Sequence, residues 1–209
     1  MKVILRNYQR EAIQSVRDLI RARMRRLLIV APTGAGKTTI AAKIIDGAVN
    51  KGSKIVFLAH RTELIEQCSQ RLDDLEVTHG IIQRNHARTD PYKSVQVASI
   101  QTLIRREHCD ADIIIVDEAH RSTSPMYQEI IARYDNPVVL GLTATPYRMS
   151  GEGLGDIYDD IVVVSSTQDL IEDVGAGEAQ VRVLAALGHH VLLLVRPSRR
   201  TGHRSSRAF

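Results

Sequence analysis

Residues 27–30 are apolar and run straight into APTGAGKT at 31–38, which opens onto a helical run at 39–48. That order constrains the fold more than any other feature of the chain. An apolar strand, a turn carrying Gly34 and Gly36, and then a helix make the first half of a βαβ unit, which implies a parallel sheet covered by helices. A second segment, IIIVDEAH at 113–120, carries an apolar run into a pair of acids. Further runs at 54–59, 95–99, 112–116 and 138–142 are dominated by Val, Ile and Leu without clean alternation, as expected for strands buried on both faces. Tyr8, Ala12, Val16, Leu19 and Ile20 share one helical face, and 62–75 is helix-compatible. The predicted class is α/β, a mainly parallel sheet with helices on both faces.

At 209 residues, 44% hydrophobic and 25% charged, the chain suits one such domain with some appended material. Met1 to Met24 is charged throughout, so no leader is expected. The longest apolar tract, 181–195, is broken by Arg182, His189 and His190 and makes a poor membrane span. Cys68 and Cys109 lack metal-ligand spacing and read as two free thiols in a reducing cytoplasm. The net charge of +4 belongs to the end of the chain. Residues 175–209 hold six Arg, no Lys and one acid, Glu178, which leaves 22 basic and 23 acidic residues upstream. The organisation expected is a domain over 1–173 followed by a basic, poorly structured tail over 174–209. That tail reads equally as a small extension or as the product of a shifted frame.

The loop has the chemistry of phosphate binding. Gly34 and Gly36 let the backbone N–H groups turn inward, and the helix N-terminus adds partial positive charge. Lys37 would neutralise the β- and γ-phosphates of ATP, and the Thr38 hydroxyl would ligate Mg2+. Pro32, Thr33, Ala35 and Thr39 complete the candidate nucleotide contacts, and Ala31 stands where the usual pattern has its first Gly. Asp117 ends a buried apolar run, where open α/β sheets place their ligands, and would hold Mg2+. Glu118 would polarise the attacking water as general base.

With LRNYQREAI, APTGAGKT, LAHRTELIEQ, VASIQTL, VDEAH and GLTATPYR in order, residues 3–173 resemble the N-terminal RecA-like motor domain of superfamily 2 helicases with a DEAH box. The likeness is strongest to the RadD-type DNA-repair helicases and the helicase subunits of type III restriction enzymes. The resemblance implies that Gln9 reads adenine, with Arg6 and Tyr8 shaping the pocket, and that His120 links the ATP site to motion. It implies that Thr143 and Thr145 couple ATP state to nucleic-acid grip. It also implies a DNA path, single-stranded or at a junction, over His60, Arg61, Gln101 and Thr102.

Helicases of this kind pair two RecA-like domains, and the second supplies arginines to the transferring phosphoryl group. Nothing after Thr145 resembles it, which reads either as truncation of a longer ancestor or as a split protein whose partner is a separately encoded second motor domain, and the chain alone is expected to turn over ATP slowly. The rival readings are a non-catalytic nucleotide- or nucleic-acid-binding remnant and a metabolic kinase. The kinase leaves LTATPYR and the Gln9 segment unexplained.

Overall fold

The computed structural model describes residues 3–106, 109–144, 154 and 157–164. The expectations for Thr145 and for 174–209 lie outside the described residues. Seven strands, β1 (Arg26–Val30), β2 (Ile55–Ala59), β3 (Gly80–Ile82), β4 (Val95–Ser99), β5 (Ile113–Asp117), β6 (Val138–Thr143) and β7 (Asp160–Val163), form one sheet in the order β3-β4-β2-β5-β6-β1-β7. Every pairing is parallel. Helices α1 (Asn7–Arg21), α2 (Lys37–Val49) and α3 (Thr62–Asp73) cover one face; α4 (Ile100–Leu103), α5 (Pro125–Ala132) and a 3-10 turn at Ala119–Arg121 cover the other.

The strands alternate after all. Leu27 and Ile29 pack beneath α1–α3 while Leu28 packs on the α5 side; Phe57 and Ile115 sort with the first group, Val56, Leu58, Ile114 and Val116 with the second. Both faces are apolar, so the two-residue period leaves no polar trace in the sequence. Two strands, β3 and β7, and helices α4 and α5 escape the periodicity. β3 and α4 span only three and four residues, and β7 begins on the buried carboxylate Asp160.

The three helices on the first face end alike. Arg23 N–H reaches Ile20 O and Met24 N–H reaches Leu19 O, with Arg23 at φ 73°. Gly52 and Ser53 close α2 in the same way, and Glu76 and Val77 close α3. Each left-handed residue satisfies the last carbonyls and turns the chain back towards the next strand. Because all strands run one way, the segments following β1, β2, β4, β5 and β6 emerge along one edge of the sheet. There lie the loop at 31–36, His60 and Arg61, α4, and the turn after Asp117.

Candidate active site

The loop between β1 and α2 is fastened at both ends. Ala31 N–H donates to the Thr143 carbonyl at the end of β6 (2.9 Å), and Gly36 N-caps α2 at φ 82°. Gly34 is also left-handed (φ 85°), with open space where a side chain would stand. A Cβ on Gly36 would lie 2.5 Å from Gln9 Nε2. Gly36 is therefore required twice, by its backbone and by its neighbour. Lys37 Nζ donates to the carbonyls of Ala31 (3.1 Å) and Pro32 (3.4 Å). Among the described residues no carboxylate lies within ion-pair distance of it. Pro32 and Thr33 are exposed, and Ala35, Thr38 and Thr39 are half-buried.

The start of α1 reaches this loop. The Gln9 amide accepts from Arg6 N–H (3.0 Å) and donates to Ala35 O (2.9 Å). Tyr8 OH donates to the same carbonyl at 3.5 Å, and Arg6 Nη1 donates to Tyr8 OH at 3.1 Å with its guanidinium 6.0 Å from the ring centre. Arg10 holds the incoming segment by two bonds to Leu5 O.

Across β6 from the loop, β5 ends on Asp117, which is 6% exposed. Burial dominates its chemistry and pushes its carboxyl up to about 6; Glu118 N–H (3.0 Å from Oδ1) and the Lys37 charge act in the opposite direction. Glu118 itself is left-handed (φ 56°), a conformation that costs a non-glycine residue about 1–2 kcal/mol. Its carboxylate lies 3.3 Å from His120 Nε2. Strain of this kind persists only where the surroundings hold it.

Those surroundings were missed by sequence reasoning. Ser122, fully buried, donates from Oγ to Ala119 O (2.6 Å), and Gln128 Nε2 donates to Ser122 O (2.6 Å). A Cβ on Gly141 in β6 would lie 2.5 Å from the Tyr158 ring and 2.8 Å from Ala119 Cβ. Tyr127 and Tyr158 fill the space below, their hydroxyls pushed by burial to about 12. The signal was available: a glycine inside an apolar strand marks close approach of another group.

Of the residues assigned to a nucleic-acid path, Arg61 and Gln101 are exposed, Thr102 is half-buried, and Thr143 is buried at the end of β6. Gln101 Nε2 donates to His60 O (3.3 Å) and takes Ser99 Oγ–H at its Oε1 (2.8 Å). His60, the residue after β2, is half-buried. Arg61 Nε donates to its Nε2 (3.1 Å), and its Nδ1 is buried without a hydrogen-bond partner among the described residues. Burial, then the charges of Arg121 and Arg61, push its pKa below the ordinary histidine value; Glu118 opposes them and His120 adds to them.

The wholly parallel sheet, the loop after β1 and the acids after β5 are the architecture of the N-terminal RecA-like domain of superfamily 2 helicases. Residues 2–148 match the family described as "Type III restriction enzyme, res subunit", and the chain belongs to that family. It is 32% identical over 148 residues to a 51.5 kDa protein of a Lactococcus phage (isolate 7-9), covering 70% of this chain and 30% of that one. It is 30% identical over 184 residues to the type I restriction enzyme EcoAI endonuclease subunit of Escherichia coli, covering 80% and 22%. It is 32% identical over 155 residues to the DNA 3'-5' translocase XPB2 of Sulfurisphaera tokodaii, covering 72% and 33%. The chain thus spans a third or less of these relatives. In fold it is similar to the UvsW helicase from bacteriophage T4, with a TM-score of 0.65, 20% identity, and coverage of 78% of this chain and 61% of that one. Among the described residues no helix is long and apolar enough to cross a membrane. Cys68 and Cys109 are free thiols.

Proposed function

We propose that residues 1–173 form the ATP-binding half of a DEAH-box DNA helicase or translocase, with 174–209 as an appended segment. The observation that carries this reading is the relation of Lys37 to Asp117. An ammonium resting on its own loop's carbonyls and a buried carboxylate feel each other's charge without pairing. Phosphate and Mg2+ fit between such groups: the loop N–H groups and Lys37 take the phosphates, and Thr38 and Asp117 take the metal. Burial makes the charge of Asp117 costly alone, and a divalent cation would stabilise it.

In this reading Gln9, with Arg6 and Tyr8, meets the adenine. An amide bonded once through each end retains one donor and one acceptor, the pair that adenine's edge requires. Glu118 orients the attacking water, with His120 beside it. Arg61, Gln101 and Thr102 meet the phosphates and sugars of DNA, and Thr143, holding the loop through its carbonyl, links that path to the nucleotide. The names of the relatives support DNA as the polymer. Full turnover requires an arginine from a second RecA-like domain, in the same polypeptide or separately encoded; such arginines are worth about 10³–10⁵ in rate. The two free thiols accord with action in the cytoplasm.

The test is ATP turnover by the purified chain, with and without single-stranded DNA, beside Lys37→Ala and Glu118→Gln. Turnover lost in both variants is the expected result. Turnover indifferent to both would overturn the reading, and ATP–Mg binding without turnover would mean that the chain is half of a motor whose second domain must be supplied.

A further inference from the structure

On the edge of the sheet opposite the phosphate loop, a cleft of about 170 Å³ opens where the chain enters β1 and β6 beside the end of α5. Arg25 and Arg26 line it from β1, Asn136 and Pro137 from the turn before β6, and Gln128 and Ile131 from α5. The backbone fixes the two strand entries against each other. Val139 N–H donates to Arg25 O (2.7 Å), Arg26 lies in register with Val139, and Asn136 turns the chain into β6 at φ 47°. None of the residues lining the cleft is acidic. Arg21, Arg71, Arg88 and Arg133 each hold a carboxylate, whereas neither Arg25 nor Arg26 has one within ion-pair distance among the described residues. The Asp159 carboxylate is engaged by the backbone N–H of Arg26 instead. Two neighbouring guanidiniums repel each other, and an oxyanion placed between them removes that cost.

Size and lining decide the occupant. Sites for whole small molecules run to about 300–1,000 Å³, so this cleft has room for one side chain and not for a nucleotide. Its guanidiniums and amides suit an oxyanion, while Ile131 and Pro137 suit a short aliphatic stem. Gln128 uses one amide hydrogen on Ser122 O (2.6 Å) and keeps a second to give. Asp135 adjoins Asn136 in the chain and Asp159 sits on Arg26, both acids being exposed. A polyanionic strand would meet like charge there, where a single carboxylate would not. We propose that the cleft is a docking pocket for a glutamate side chain of a partner polypeptide. Arg25 and Arg26 take the carboxylate, and Ile131 and Pro137 cover its methylenes. A partner seated on this edge leaves the phosphate loop untouched, so the assignment stands apart from the nucleotide reading.

The test is a set of NMR titrations of the isotope-labelled full chain, followed at the arginine Nε–H groups and the side-chain amides of Gln128 and Asn136. The probe is the α-amide of N-acetylglutamate, which carries one carboxylate. The matching glutamine derivative is its neutral copy, and acetate is the carboxylate without the stem. The glutamate probe is expected to shift Arg25, Arg26, Gln128 and Asn136 together and to saturate. Its affinity should exceed that of the neutral copy at least about tenfold, and that of acetate about tenfold, as two covered methylenes supply. Arg25→Gln and Arg26→Gln should each abolish saturation. Arg23→Gln, at an exposed neighbour outside the cleft, should leave it unchanged. Arg25 is itself exposed, so its variant keeps the fold, which the rest of the spectrum reports. No saturation, a neutral copy that binds as well, or equal loss in Arg23→Gln would each overturn the inference. Acetate binding as tightly as the glutamate probe would make this a site for free anions. Oligo-dT moving the same resonances at lower concentration would make it a nucleic-acid contact. Either result would overturn the glutamate assignment too.

Discussion

The loop at 31–36 and the turn at 117–122 lie on the same edge of the sheet, one strand apart, and are built on opposite plans. The loop reaches its left-handed conformations with glycines, has open space at Gly34, and leaves Lys37 on carbonyls that a phosphate can displace. The turn puts a glutamate in the left-handed region and holds it from beneath with Ser122, Tyr127, Tyr158 and the bare backbone of Gly141. One is shaped to receive and the other to be held still. In the proposed function Lys37 must change partners and needs cheap bonds, whereas Glu118 positions water and needs a rigid bed.

The largest effect should come from the loop's cation. Lys37→Ala removes two or more charge-assisted bonds to phosphate, each worth about 1.5–3 kcal/mol, so ATP–Mg affinity should fall about 100-fold or more by calorimetry. The melting temperature should barely move, because Lys37 bonds only to its own loop. A collapse of stability would mean that the loop is a structural brace.

Next comes the bed of the turn. Gly141→Ala forces a methyl into Tyr158 and Ala119 and should cost about 1–3 kcal/mol in urea melts. An unchanged midpoint would show that the turn is looser than its packing implies.

Asp117→Asn removes a buried charge, with a sign fixed by the raised pKa. The carboxyl titrates near 6 in the folded chain and near 3.8 unfolded, so the native state favours the protonated form. That contribution to stability is complete below about 3.8 and is lost as the pH rises through 6. The variant should therefore gain about 2–3 kcal/mol over wild type at pH 8 without metal, and nothing at pH 3.5, as followed by melts across that range. Equal melting at both pH values would remove desolvation from the account.

The smallest contrast lies within the loop. Gly34→Ala meets open space and should cost only about 1–2 kcal/mol for its positive φ. Gly36→Ala adds the clash with Gln9, and Gln9→Ala should recover that excess in a double-mutant cycle.

The loop and the acids were legible because their chemistry demands particular residues after an apolar strand. The parallel sheet followed from the same pattern. Gln9, Arg6 and Tyr8 came only through family likeness, since a glutamine on an amphipathic helix carries no signal of its own. What escaped was whatever depends on packing at long range. Tyr158 supports a turn some forty residues earlier, and nothing in its neighbours marks it. β3 is too short to show a period. His60 was assigned to the DNA path through family likeness, and only the bond from Arg61 shows which ring nitrogen faces in.

Strand β1 lies between β6 and β7, and the backbone N–H of Arg26 is held by a carboxylate 133 residues away. The strand that carries the phosphate loop thus precedes by more than a hundred residues both strands that flank it. Until β6 and β7 follow, β1 has both edges bare and the loop has no Thr143 carbonyl to anchor Ala31. On the proposed function, competence to hold nucleotide therefore waits on β6, and a polypeptide stalled before β6 would carry the whole loop motif with no floor beneath it.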